Sequence, residues 1–200
     1  MSKITQIIST QRFESIRDRI LEILVDEMDH QYYLTSDEDL NVSVFIERNN
    51  PIDKTELSAI VVSLAKGAYS NKNQGSVDGD YIYNVDVYTN SKTTENGAGD
   101  TLAAIKMQKL MGVCRSILED PIYKTLGFAP PFLMKTNVSE FNIAAGNKED
   151  ALNTGMGRLT FNVTTNETNK LIVPNLIEGY ETTVKIDNSG KGYFYQGENY

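Results

Sequence analysis

The chain has no tryptophan, one cysteine and one histidine among 200 residues. Each shortage removes a class of function. A lone cysteine, Cys114, rules out an internal disulfide framework and any multi-cysteine metal site. Its place in the apolar pattern of a helix marks it as a small core residue rather than a nucleophile. The single histidine, His30, would have to serve any Ser-His-Asp or Cys-His site, yet it lies at the polar end of an amphipathic segment, where a solvated imidazole belongs. No stretch reaches the roughly 18 consecutive apolar residues that a bilayer span requires. Met1-Ser2-Lys3-Ile4, followed by polar Thr5, Gln6, Ser9 and Thr10, contains no signal-peptide apolar region, so folding in a cytoplasm without a membrane partner is expected. Positive charge is short as well: 19 Lys and Arg against 27 Asp and Glu leave a net charge of −8. That balance argues against a general or sequence-specific nucleic-acid binder, which would need a basic face. An acidic surface can still meet DNA by repelling it, as a non-stick channel wall would.

What is present suits an ordinary globular core, with 40% hydrophobic residues. Eleven tyrosines outnumber seven phenylalanines, which favours half-buried sheet faces and wetted subunit contacts. Phe13, Ile16, Ile20, Leu24 and Met28 recur every three or four residues and predict an amphipathic helix, with Ile4, Ile7 and Ile8 extending it or forming an arm. Leu40, Val42, Val44 and Ile46 alternate as a half-buried strand, and Leu57 to Leu64 reads as a central strand covered on both faces. Residues 66–80 read as a long polar loop, of the kind that is usually functional. Tyr81, Tyr83, Val85 and Val87 then share one face of a strand. Asp100 is expected to cap a second helix through Leu102, Ile105, Leu110, Val113 and Ile117, with Lys106, Lys109, Gly112, Ser116 and Glu119 on its polar stripe and Pro121 stopping it.

Pro130-Pro131 resets the chain to extended conformation. Phe132–Ile143 and Arg158–Thr165 predict a long β-hairpin whose tip is the small-residue stretch 144–157. Beyond Pro174, residues 182–186 and 192–195 flank the turn 187–190 as a small hairpin, which is marginal alone and should pack on the main domain or a neighbour's sheet. The expected organisation is a domain over 1–173 and a hairpin arm over 174–200. The fold class is α+β: a mostly antiparallel sheet flanked by two main helices, with the long hairpin and the C-terminal hairpin extension.

Catalytic templates fail when all their parts are required. Ser63-Leu-Ala-Lys66 has the bare Ser-x-x-Lys spacing without its companion motifs, and Ser63 falls in a strand. Gly190-Lys191-Gly192 lacks the spacing of a phosphate loop. Asp78-Gly79-Asp80, even with Asn71 and Asn73, does not supply a calcium loop and reads as a solvated turn, with a weak cation site as the alternative. Asp37, Glu38 and Asp39 are a loop charge run, and Arg12, Arg17 and Arg19 share their helix with Glu14, Asp18 and Glu22, so no phosphate track forms. No catalytic, cofactor-binding or metal residues are expected, and nothing points to an enzyme.

The order of elements resembles the tail terminator (tail completion) proteins of long-tailed bacteriophages over about residues 10–170. The most similar piece is Tyr81-Ile-Tyr-Asn-Val-Asp-Val-Tyr88 followed by the helix from Asp100 through Arg115-Ser-Ile-Leu118. The segment after Pro174 departs from the short family pattern. The resemblance implies a structural virion protein, assembled in the host cytoplasm, that closes as a homo-hexameric ring on the tail tube. Its partners would be the tail tube protein and neck or connector proteins. A ring needs complementary patches on opposite sides of one subunit, and the 66–80 loop, the 144–157 tip and the terminal hairpin are the candidates. Two alternatives stand beside this reading: another neck or baseplate-ring subunit, or a soluble ligand-binding or enzymatic domain that uses 66–80 as a lid.

Overall fold

The computed structural model describes residues 7–48, 58–73, 76–92, 98–144, 154–167, 179–185 and 192–198. They belong to two units, Met1–Thr168 and Asn169–Tyr200. The first contains α1 (Arg12–Thr35), β1 (Ser43–Ile46), β2 (Ser58–Asn73), β3 (Ser76–Asn90), α2 (Gly99–Glu119), β4 (Leu133–Ala144) and β5 (Thr154–Asn166). The five strands form one sheet in the order β1-β2-β3-β5-β4, antiparallel throughout except for the β1–β2 pair. This is the expected α+β fold with a mostly antiparallel sheet.

Both helices pack on one face of the sheet. That face carries Ile60 and Val62 from β2, Tyr81, Tyr83, Val85 and Val87 from β3, and Leu159, Phe161 and Val163 from β5, all buried in one cluster with the helices. On α1 the cluster takes Ile16, Ile20, Ile23, Leu24 and Met28. Each such side chain contributes about 1.5–3 kcal/mol when fully withdrawn from water. The tyrosine rings are buried, but their hydroxyls reach partners: Tyr83 donates to the Phe13 carbonyl at 2.8 Å and Tyr81 to Glu167 at 2.8 Å. Burial raises both phenol pKa values above the ordinary range, so these hydroxyls remain donors at any physiological pH.

α1 begins after Gln11, whose N–H donates to Glu14 at 2.8 Å, and ends at Ser36, a left-handed residue whose N–H bonds the Tyr32 carbonyl. Ile7 and Ile8 lie outside the helix and are exposed. α2 begins differently from the expectation. Ala98 occupies the cap position without a side-chain bond, and Asp100 is instead in the first turn, accepting from the Thr101 N–H at 2.7 Å. Its carboxylate still complements the positive helix end. Asp120 takes the extended conformation that a following proline imposes, which ends α2 at Glu119.

The buried face of α2 is Ala103, Met107, Leu110, Met111, Cys114, Ile117 and Leu118, while Ile105 is exposed. The expected face through Leu102 and Ile105 is therefore rotated. The cause lies on β5, where Gly155 and Gly157 present no side chains and let α2 approach closely with its small and flexible residues inward.

The first strand is shorter than its alternation predicts, because Glu38–Leu40 forms a single 3-10 turn that buries Leu40 and leaves Ser43–Ile46 as β1. The second unit is an antiparallel hairpin of β6 (Gly179–Lys185) and β7 (Gly192–Glu198), paired from Gly179↔Glu198 to Lys185↔Gly192. The expected boundary at Pro174 and the turn 187–190 lie outside the described residues.

Candidate interaction surfaces

The three segments predicted to make contacts fare differently. Residues 66–80 are mostly strand rather than loop: β2 continues to Asn73 and β3 starts at Ser76, paired from Lys66↔Ile82 through Asn73↔Ser76. A bulge at Ala65 separates this extension from the central part of β2. Of the 144–157 tip, Ala144 and Thr154–Gly157 are strand, and residues 145–153 lie outside the described residues. The terminal hairpin exists as its own unit.

Residues weighed for chemistry remain apart. His30 is exposed on α1. Ser63 and Lys66 both lie on β2 on either side of the bulge, and no described hydrogen bond joins them. Asp78-Gly79-Asp80 is part of β3 rather than a turn, with Asp78 5% exposed and Asp80 accepting from the Thr164 hydroxyl at 2.8 Å. Among the described residues no group of three or more His, Cys, Asp or Glu is placed to hold a metal ion. Burial raises the Cys114 thiol pKa to about 12, which keeps it protonated and inert. A groove of about 560 Å³ between the helices is lined by Glu27, Gln31, Lys109, Ser116 and Tyr123. Within it the Tyr123 hydroxyl hydrogen-bonds Glu27, which raises the phenol to about 12.

The face of the sheet opposite the helices is mixed: Phe45, Val61, Ile82, Tyr88 and Met156 share it with polar residues tied by cross-strand pairs. Arg158 grips Asp86 with both ends of its guanidinium, at 2.6 and 2.8 Å, across the Asp86↔Arg158 row. The carboxylate, 7% exposed, raises the already high guanidinium pKa further. Val61 and Ala59 are buried beside it, and Asn84, Thr160, Asn162 and Thr164 continue the face.

The two lateral edges of the sheet, β1 and β4, carry no partner strand among the described residues. The chain treats them unevenly. On β4 the Val138 N–H donates to Glu119 at 2.5 Å, and Glu119 is held by Lys124 at 2.9 Å. The N–H bond from Val138 and the ammonium lower the Glu119 pKa. In the same row across the sheet, the Leu64 N–H on β2 donates to Glu47 at 2.9 Å, with Arg17 3.7 Å away. These carboxylates satisfy edge donors that no strand meets. Above that row no carboxylate accepts from a β4 N–H among the described residues, and Phe141 and Ile143 are 61% and 51% exposed.

In comparisons with known proteins, the chain matches no family model and no curated relative. Sequence reasoning singled out residues 66–80, 144–157 and the terminal hairpin and did not consider the edges of the sheet. The signal available was the alternation in 132–143, whose apolar residues Phe141 and Ile143 continue past the point where the helix covers the sheet.

Proposed function

We propose that this chain is a structural virion subunit that closes as a ring on the end of a phage tail tube and joins it to the neck. The order of elements supports the reading, and one observation carries it. Both helices pack on one face of the sheet, and the other carries the Asp86–Arg158 ion pair and the Asp80–Thr164 bond beside Phe45, Val61, Tyr88 and Met156. The carboxylates and amides of that face offer DNA no basic track, which suits the lining of a passage. The net charge of −8 agrees with a lining that does not hold DNA. Light scattering of the purified chain, alone at high concentration and with purified tail tubes, tests it together with electron microscopy of the mixture. Rings, or tubes capped at one end, are the expected result. A chain that remains monomeric and never associates with tubes overturns the reading. Localisation within the particle by cryo-electron microscopy distinguishes a tube cap from a neck or baseplate ring.

A further inference from the structure

We infer that the free edge of β1 pairs with the upper half of β4 in a second copy of this chain, extending the sheet from subunit to subunit. The inference rests on the ring reading and assigns its contact.

Direction comes first. β1 and β2 run the same way, β3 opposite, β5 with β2, and β4 opposite again. A neighbour in the same orientation, as a cyclic ring requires, therefore places its β1 antiparallel to β4. Height matches as well. Ile46 is in the row of Val62, Val85, Leu159 and Phe141, and Val44 is in the row of Ile60, Val87, Gly157 and Ile143. A ring whose axis runs along the strands allows no shift in height between copies, so Ile46 meets Phe141 and Val44 meets Ile143.

Hydrogen-bonding sides agree too. The Glu47 N–H bonds the Val62 carbonyl, so Glu47 and Phe45 address β2 while Val44 and Ile46 address the open edge. The Val138 N–H points away from β5 toward Glu119. With the bulge at Ser139 counted, Phe141 and Ile143 are the next residues of β4 to point outward. The residues that share rows are thus the ones whose N–H and C=O groups are free to exchange. Their side chains lie on the helix face and are apolar, with Ile46, Phe141 and Ile143 at 36%, 61% and 51% exposure. Phe141 and Ile143 also line a groove of about 400 Å³ with Met111 and Arg115 of α2, which the neighbour's Ile46 would enter. Below this contact β1 has ended, and the facing strands are one strand-width further apart. That is where Glu47 and Glu119 cap the Leu64 and Val138 donors.

Ser43 and Ala144 share the next row, on the open face, as a pair that does not exchange hydrogen bonds and whose side chains approach closely. Both are small and exposed, and the one native cysteine is buried. The test is oxidation of the full-length Ser43→Cys/Ala144→Cys variant by dithiodipyridine, at concentrations where light scattering detects assembly. A ladder of covalent oligomers on denaturing gels is expected, with only dimers from an equimolar mixture of the two single variants. Ile143→Glu, with unchanged circular dichroism, should reduce assembly at least tenfold. A covalent dimer from Ala144→Cys alone would indicate two-fold β4–β4 pairing and overturn the inference. So would rings that leave the double variant reduced, or an Ile143→Glu variant that assembles normally. Rings without the cross-link leave the tube-capping reading standing, whereas a full ladder from a chain that never binds tubes overturns that reading and keeps the edge contact.

Discussion

Glycine-to-alanine exchange at three positions measures how closely α2 lies on the sheet. A methyl group at Gly155 would be 2.7 Å from the Thr89 hydroxyl oxygen and 2.9 Å from the Ala103 carbonyl oxygen. Ordinary carbon–oxygen contacts begin near 3.3 Å, so the N-terminal part of α2 must lift by several tenths of an ångström. Lifting it stretches the buried 2.7 Å bond from Thr89 to that carbonyl. Overpacking of about 1–3 kcal/mol and a weakened buried hydrogen bond of about 1 kcal/mol put Gly155→Ala at about 2–4 kcal/mol of destabilisation. At Gly157 the methyl would overlap the sulfurs of Met111 and Met107, which are flexible and can turn aside, so about 1–2 kcal/mol is expected. Gly112, exposed in mid-helix with nothing within 4 Å of an added methyl, should gain up to about 1 kcal/mol. Urea unfolding followed at 222 nm reads the series, because both helices belong to the first unit. The reasoning fails if Gly155→Ala is no less stable than Gly157→Ala, or if Gly112→Ala destabilises.

Three further outcomes follow from single contacts. Arg158→Ala leaves the buried Asp86 carboxylate without its guanidinium and should cost about 1–2 kcal/mol, while Arg158→Lys recovers less than half because the two-pronged grip is lost; chemical denaturation of both variants checks this. Cys114 should resist a thiol reagent at pH 8 and react at the rate of a free thiol in urea; a raised folded pKa also means its contribution is full below the ordinary value of 9 and is lost as pH rises toward about 12. Glu119 has a folded pKa below its ordinary 4.5, so its contribution is full above that value and lost as pH falls through the folded one. Since that carboxylate is about a third exposed, Glu119→Gln should cost under about 1 kcal/mol at pH 7, and the difference from wild type should vanish in acid titrations near pH 2.

Elements with one buried face were legible in the sequence. Tyr81, Tyr83, Val85 and Val87 alternate because every second residue of β3 meets the helices, and Leu159, Phe161 and Val163 do the same on β5. The 66–80 stretch was misread because that contrast is missing there. Residues 65–70 are all exposed, and the Ala, Lys, Gly and Ser found there are poor strand formers, so backbone pairing to β3 holds the strand instead. On α2 the large aliphatic residues suggested a face of which Leu110 and Ile117 are buried but Ile105 is exposed. Ala103 and two methionines face the sheet because Gly155 and Gly157 sit opposite, a pairing between distant segments that no local pattern reveals. Candidate contact sites were hardest to see, since exposed apolar residues on an edge strand look in sequence like part of a core.

Edge strands invite pairing with any passing chain, and proteins usually blunt them with charges and bulges. β4 is blunted along only part of its length. Bulges at Met134 and Ser139 and the carboxylate of Glu119 protect the lower half, while Phe141 to Ala144 has regular strand register and exposed apolar side chains. At the opposite side of the sheet the guard is Glu47, immediately beyond the end of β1, and among the described residues no side chain caps β1 itself. A surface shaped only for solubility would have no reason to guard one half of an edge and leave the other open at the height where the opposite edge is also open. On the proposed contact, selective guarding would favour one partner, the complementary edge of the same chain, and would disfavour register slips that bring the capped rows together. An Ile46→Glu substitution extends the guard upward by one row. It should abolish assembly, leave the fold intact and leave unfolding of the monomer within about 0.5 kcal/mol of wild type. Loss of monomer stability together with assembly would instead place Ile46 in the core of its own subunit.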